Sequence, residues 1–103
     1  MTITMITKKV TPILKSSGVL KASIFGSAVR GKLKKRSDID FLIKLPKRKS
    51  LLDMVALKFE MEDRLGRKID IVSYGGINPL LKDTILKEQK VIYERKKRSK
   101  NIS

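Results

Sequence analysis

Apolar side chains recur along this chain with two different periods, and the alternation between them sets out an order of helices and strands. A first helical stretch ends near Ser16-Ser17, where Gly18 supplies a left-handed cap; Pro12 means that this helix either starts there, at a first-turn position, or is kinked. Residues 19–25 read as a strand that runs into the glycine-bounded turn Gly26-Ser27-Ala28-Val29-Arg30-Gly31. Over 38–45, Ile39, Phe41 and Ile43 alternate with Asp38, Asp40 and Leu42, the period-2 signature of a strand with two unlike faces, and Pro46 closes it. Ser50 and Asp53 form a capping pair for a helix whose wide apolar face is supplied by Leu51, Leu52, Val55, Leu57, Phe59, Met61 and Leu65, and Gly66 stops it.

Residues 68–73 form a third strand, with Ile69 and Ile71 on one face and Asp70 and Val72 on the other. Asn78-Pro79 opens another helix, Asn as N-cap and Pro at the first position, continuing through Leu80, Leu81, Ile85 and Leu86. Residues 91–93 make a short last strand. Residues 1–7 either are native or derive from a cloning-vector leader, which they resemble, and they are kept out of the fold argument. The expected class is α/β of the α+β type, a short mixed sheet flanked by helices in one domain over 1–94. Residues 95–103 form a basic tail with too few apolar side chains to join a core, and are expected to be disordered.

With 103 residues the chain holds one core and one site, and 41% hydrophobic content is enough to build that core. Charge changes the picture more. Twenty-five Lys and Arg against ten Asp and Glu give +15, and three stretches without an acid, 30–36, 44–49 and 95–100, carry fourteen of the basic groups. The body of the protein is therefore nearly neutral, and its basicity lies in two loops and a tail. The absence of Cys and His removes disulfides, Cys/His zinc sites, thiol nucleophiles and imidazole acid–base chemistry together. Catalysis has to run on carboxylates, hydroxyls, Lys, Arg or an oxygen-bound metal. No apolar run approaches the roughly 20 residues that span a bilayer, and no charged n-region precedes an apolar stretch, so no membrane partner and a cytoplasmic location are expected.

Asp38 and Asp40, at i and i+2 of a strand, point to the same side with their Cα atoms roughly 7 Å apart. Like charges so placed call for a counter-ion, and Mg²⁺, which takes oxygen ligands and is held by one or two carboxylates plus substrate phosphates, is a natural one. The plainer alternative is a polar start to a strand. Gly26-Ser27 follows a strand and is separated from Asp38 by ten residues, so both turns can open on one end of a sheet; glycine lets backbone N–H groups approach a phosphate and the serine hydroxyl adds a donor, unless the turn is an ordinary hairpin type. Asp70 interrupts an otherwise apolar strand, where Asp is depleted; it either serves the site, pairs with Arg67 or Lys68, or faces solvent.

These residues together resemble the minimal nucleotidyltransferases, small relatives of the polymerase beta superfamily that are paired with HEPN-domain toxins. The shared pattern is Gly26-Ser27, the ten residues 28–37, Asp38-Ile39-Asp40 and then Asp70, and the likeness extends over about residues 12–93 through the Ser50-Leu51-Leu52-Asp53 helix start and the Leu65-Gly66-Arg67-Lys68-Ile69-Asp70 run. Val29, where alanine is usual, and the basic loop 32–36 depart from it, which bears on the identity of the second substrate. The resemblance implies a nucleotidyltransferase fold in which Asp38 and Asp40 bind two Mg²⁺ ions. By the same resemblance, Asp70 would complete the catalytic metal site at the attacking hydroxyl, and Gly26 and Ser27 would hold a β- or γ-phosphate. It further implies transfer of AMP from ATP to a tyrosine of a HEPN toxin, making this chain an antitoxin. Arg30 either neutralises the triphosphate or pairs with one of the aspartates.

The loop 32–36 lies between the phosphate turn and the metal strand, placed to steer a polyanion. Lys47, Arg48 and Lys49 precede a helix N-terminus, where positive charge is locally unfavourable. Among five aromatics, Phe25, Phe41 and Phe59 sit in core patterns, which leaves no stacking platform of the kind a single-strand binder uses. Two other readings compete with the enzyme: an antitoxin that neutralises its partner by contact alone, and a basic protein that binds nucleic acid weakly and without specificity. Homo- or hetero-oligomerisation is open.

Overall fold

The computed structural model describes residues 2–31 and 38–95. The basic loop 32–36 and the tail from residue 96 onward lie outside them, so the expectations of steering and of tail disorder have no structural counterpart here. The elements run α1 (Ile3–Ser16), β1 (Lys21–Phe25), a 3₁₀ turn (Gly26–Ala28), β2 (Ile39–Lys44), α2 (Leu51–Leu65), β3 (Ile69–Ser73), a second 3₁₀ turn (Tyr74–Gly76), α3 (Lys82–Glu88) and β4 (Lys90–Glu94). The sheet is mixed, in the order β3-β2-β1-β4: β1 pairs antiparallel with β2 and β4, and β2 pairs parallel with β3 through the α2 crossover. This is the expected α+β arrangement.

Strand periodicity decides which side is the core. Ala22 and Ile24 of β1, Ile39, Phe41 and Ile43 of β2 and Ile69 of β3 pack against Ile6, Val10, Ile13 and Leu14 of α1 and Leu57, Met61 and Leu65 of α2. Both long helices thus cover one face. The alternate positions Ser23, Asp40, Leu42 and Asp70 belong to the other face, where Ser23 Oγ lies 2.5 Å from the Tyr74 hydroxyl, which in turn donates to Gln89 Oε1 at 2.7 Å.

Three expectations are corrected. Residues 3–7 are not outside the fold: Thr2 caps α1 by accepting from the Met5 N–H, and Ile6, fully buried, starts the i, i+4, i+7, i+8 stripe that continues through Val10, Ile13 and Leu14. The helix therefore runs through Pro12 rather than starting there. In α2, Leu51, Leu52, Val55 and Phe59 are exposed, Phe59 by 61%, so the third Phe is not a core residue. At 100° per residue, positions two apart point nearly opposite ways, and Phe59 cannot share a face with Leu57 and Met61. Finally, Asn78 caps a turn, its Oδ1 accepting from the Leu80 N–H at 2.9 Å, and α3 starts only at Lys82.

Helix ends follow the sequence closely. Gly18 and Gly66 adopt φ values of 73° and 70° beyond α1 and α2. At the start of α2, the Ser50 N–H donates to Asp53 Oδ2 at 2.7 Å, a capping box that holds the Asp53 carboxyl below its usual range. Among the described residues no helix is long and apolar enough to cross a membrane.

Candidate active site

The three sequence-predicted carboxylates lie on the sheet face that α1 and α2 leave uncovered. In the parallel pairing of β2 with β3, Asp40 stands directly opposite Asp70. Asp38, two residues before Asp40 and just ahead of β2, falls on the same side by strand alternation. Asp38 and Asp70 are exposed, whereas Asp40 is half-buried. Burial pushes the Asp40 carboxyl above the ordinary carboxylate range, and the charges of Asp70 and Asp38 push it further; Arg30 pulls in the opposite sense.

The glycine-serine turn closes over this cluster. Phe25, the last residue of β1, pairs with Asp40, so the chain leaves the strand beside that carboxylate and bends at once into the 3₁₀ turn. Gly26 has φ 77°, and a Cβ added to it would run into Asp40 Oδ2 and stand 3.4 Å from its Cγ. Only glycine meets both demands, the left-handed backbone and the close approach to the carboxylate. Its carbonyl accepts from the Val29 and Arg30 N–H groups at 3.1 and 3.2 Å, which tightens the turn and brings Ser27 and Arg30 to the same end of the sheet.

One member of the site was not legible in the sequence. Glu88, the last residue of α3, accepts from the Gly26 N–H at 3.0 Å through Oε1 and pairs with Arg30 Nε at 3.2 Å through Oε2. Arg30 thus pairs with a glutamate rather than with one of the aspartates. The available signal was small: a carboxylate at the C-terminal end of a helix opposes the helix dipole and asks for another reason to be there.

Among the described residues no three acidic side chains are gathered into a ready-made metal cage. The donor set nevertheless suits a hard cation. Its ligands are carboxylate oxygens, it holds like charges that repel, and Mg²⁺ needs only one or two carboxylates when substrate phosphates supply the rest.

Residues 8–98 match the family described as Polymerase beta, Nucleotidyltransferase. A candidate protein adenylyltransferase of Methanocaldococcus jannaschii is 51% identical over 88 residues, 85% of this chain and 95% of that protein. A solved structure of a candidate minimal nucleotidyltransferase superposes with a TM-score of 0.76 at 31% identity, covering 87% of this chain and 95% of that one. A tri-AMPylated HEPN toxin in complex with an MNT antitoxin from Shewanella oneidensis gives 0.68 at 15% identity, over 89% of this chain and 72% of that one, a likeness of fold.

Proposed function

The chain belongs to the Polymerase beta, Nucleotidyltransferase family, and from that premise we propose that it transfers AMP from ATP to a tyrosine hydroxyl of a HEPN-type toxin and acts as that toxin's antitoxin. The observation that carries this reading is the register of Asp40 opposite Asp70, with Asp38 and the Gly26-Ser27 turn at the same end of the sheet. Two comparisons support it: the 51% identical relative is named as a candidate protein adenylyltransferase, and the toxin in the Shewanella complex is itself AMPylated.

Asp38 and Asp40 would hold Mg²⁺, with Asp70 completing the set nearest the acceptor. Bound there, Mg²⁺ supplies charge neutralisation for the phosphates and a lower pKa for the attacking hydroxyl. The chain's own groups do the rest. Gly26 N–H, the Ser27 hydroxyl and Arg30 hold the triphosphate in line for attack, and Asp70 accepts the proton from the tyrosine hydroxyl. The tyrosine oxygen bonds to the α-phosphorus as the bond to the departing pyrophosphate breaks, leaving AMP esterified to the acceptor. Asp38, Asp40 and Asp70 serve as the metal ligands, and Gly26, Ser27 and Arg30 as the nucleotide contacts.

The test is incubation of the protein with ATP, Mg²⁺ and the protein encoded beside its gene, followed by intact mass spectrometry of the latter. An adduct of one or more AMP groups is expected. Asp70→Asn keeps the shape of the strand and two metal ligands but loses the proton acceptor, so transfer falls by orders of magnitude while the partner is still bound. If wild type and Asp70→Asn neutralise the toxin equally and neither leaves an adduct, the chain works by contact and the catalytic reading fails.

A further inference from the structure

The Gly26 N–H and the Arg30 guanidinium are the groups expected to meet a nucleotide phosphate, and in this structure one carboxylate spans both. Glu88 reaches them with its two oxygens, at 3.0 and 3.2 Å, from 62 residues away in sequence. A carboxylate and a phosphate present the same thing to such donors, a pair of anionic oxygens fit for a backbone N–H and a guanidinium fork. A single N–H satisfies one strong acceptor at a time, so Glu88 and a phosphate oxygen compete for Gly26.

We propose that Glu88 stands in for a nucleotide phosphate at the Gly26–Arg30 turn and gives way when the triphosphate binds, which makes it a residue that sets the affinity of the site for its anionic ligand. This rests on the reading of Gly26 and Arg30 as nucleotide contacts given above. Three further features favour displacement over a fixed brace. Arg30 is 56% exposed and Glu88 24%, so their pair is screened by water and yields readily to a more highly charged anion. Glu88 ends α3, where the helix dipole works against its charge, so its own helix does not hold it in place. It also adds a fourth negative charge beside Asp38, Asp40 and Asp70, which a triphosphate entering with Glu88 still in place would have to face. The turn itself is closed by the Gly26 carbonyl, which accepts from the Val29 and Arg30 N–H groups, so it does not depend on Glu88.

The experiment is calorimetric titration of wild type, Glu88→Gln and Glu88→Ala with ATP plus Mg²⁺, with inorganic triphosphate plus Mg²⁺, and with adenosine. Circular dichroism melts confirm that each variant is folded. Glu88→Gln, which keeps the shape but drops the charge, and Glu88→Ala are expected to bind ATP and triphosphate about three- to tenfold more tightly, from the loss of a competing ion pair and hydrogen bond. Adenosine affinity should be unchanged. A structural brace predicts the reverse, weaker ATP binding in both variants, and that result, or equal affinity, overturns the proposal alone. ATP binding to none of the three proteins overturns the nucleotide reading and the proposal with it. In wild type, the amide resonance of Gly26 and the side-chain carboxyl carbon of Glu88 should shift together on adding ATP and Mg²⁺; a Glu88 signal that stays put while Gly26 moves overturns displacement even if the variants do not fold.

Discussion

Asp40 costs the fold stability at neutral pH, because it is half-buried and faces the charges of Asp70 and Asp38. Its pKa in the folded chain lies above the ordinary value of 3.8, so the folded state binds more protons than the unfolded one as pH passes upward through that interval, and stability falls there. Below that range Asp40 is protonated in both states and the cost disappears. Asp40→Asn should therefore melt above wild type at pH 7, with the gap closing as pH is lowered towards and below 3.8 in a series of thermal melts. Millimolar Mg²⁺-ATP should raise the melting temperature of the wild type by linkage, and the same substitution should abolish that rise. A wild type that melts higher than Asp40→Asn at pH 7 would contradict the repulsion.

In α2 the apolar side chains divide between two opposite faces. Leu57, Met61 and Leu65 repeat every four residues and are buried, while Leu51, Leu52, Val55 and Phe59 form an exposed face. Met61→Ala leaves a cavity between α2 and the sheet and should cost about 2–5 kcal/mol in urea denaturation. Phe59→Ser, only two residues away, should stay within about 0.5 kcal/mol. Comparable losses from the two would mean that Phe59 is covered in solution. The helix start is set locally, by the bond from the Ser50 N–H to Asp53, which is why the Ser50/Asp53 spacing was enough to place it. At α3, Asn78-Pro79 carries the same kind of signal, but Asn78 spends its oxygen on the Leu80 N–H, and the helix proper begins four residues later.

Among the described residues, several basic side chains gather at the end of β2 away from the aspartates, while Arg30 stays beside them, paired with Glu88. Asp38 and Asp40 stand at the start of β2 and Lys44 at its end, where a cleft of about 400 Å³ is lined by Lys44, Lys47 and Lys49 among others. A second cleft, of about 270 Å³, shares Lys49 and adds Lys15, Arg48 and Arg95. With a net charge of +15, the chain should bind nucleic acid at low salt through phosphate contacts and lose it steeply as salt rises. Filter binding or fluorescence anisotropy over a salt series should show no sequence preference and little complex at physiological ionic strength. A tight, salt-resistant and sequence-selective complex would instead place nucleic-acid recognition ahead of transfer.

Local chemistry determined what local chemistry can: the strands, because their period of two is written in Ile39-Asp40-Phe41 and Ile69-Asp70-Ile71; the ends of α1 and α2, through Gly18, Gly66 and the Ser50/Asp53 pair; and the aspartates and the Gly-Ser turn as candidates, through residue type and spacing. Tertiary structure alone decided the rest, since each remaining feature is a contact between segments far apart in the chain. The parallel register that sets Asp40 against Asp70 depends on the α2 crossover. The burial of Ile6 depends on where α1 lies on the sheet, and the exposure of Phe59 on which face of α2 meets it. Glu88 joins the site only because α3 brings residue 88 back to residue 26, a long-range closure for which no periodicity or turn residue in the sequence carries a mark.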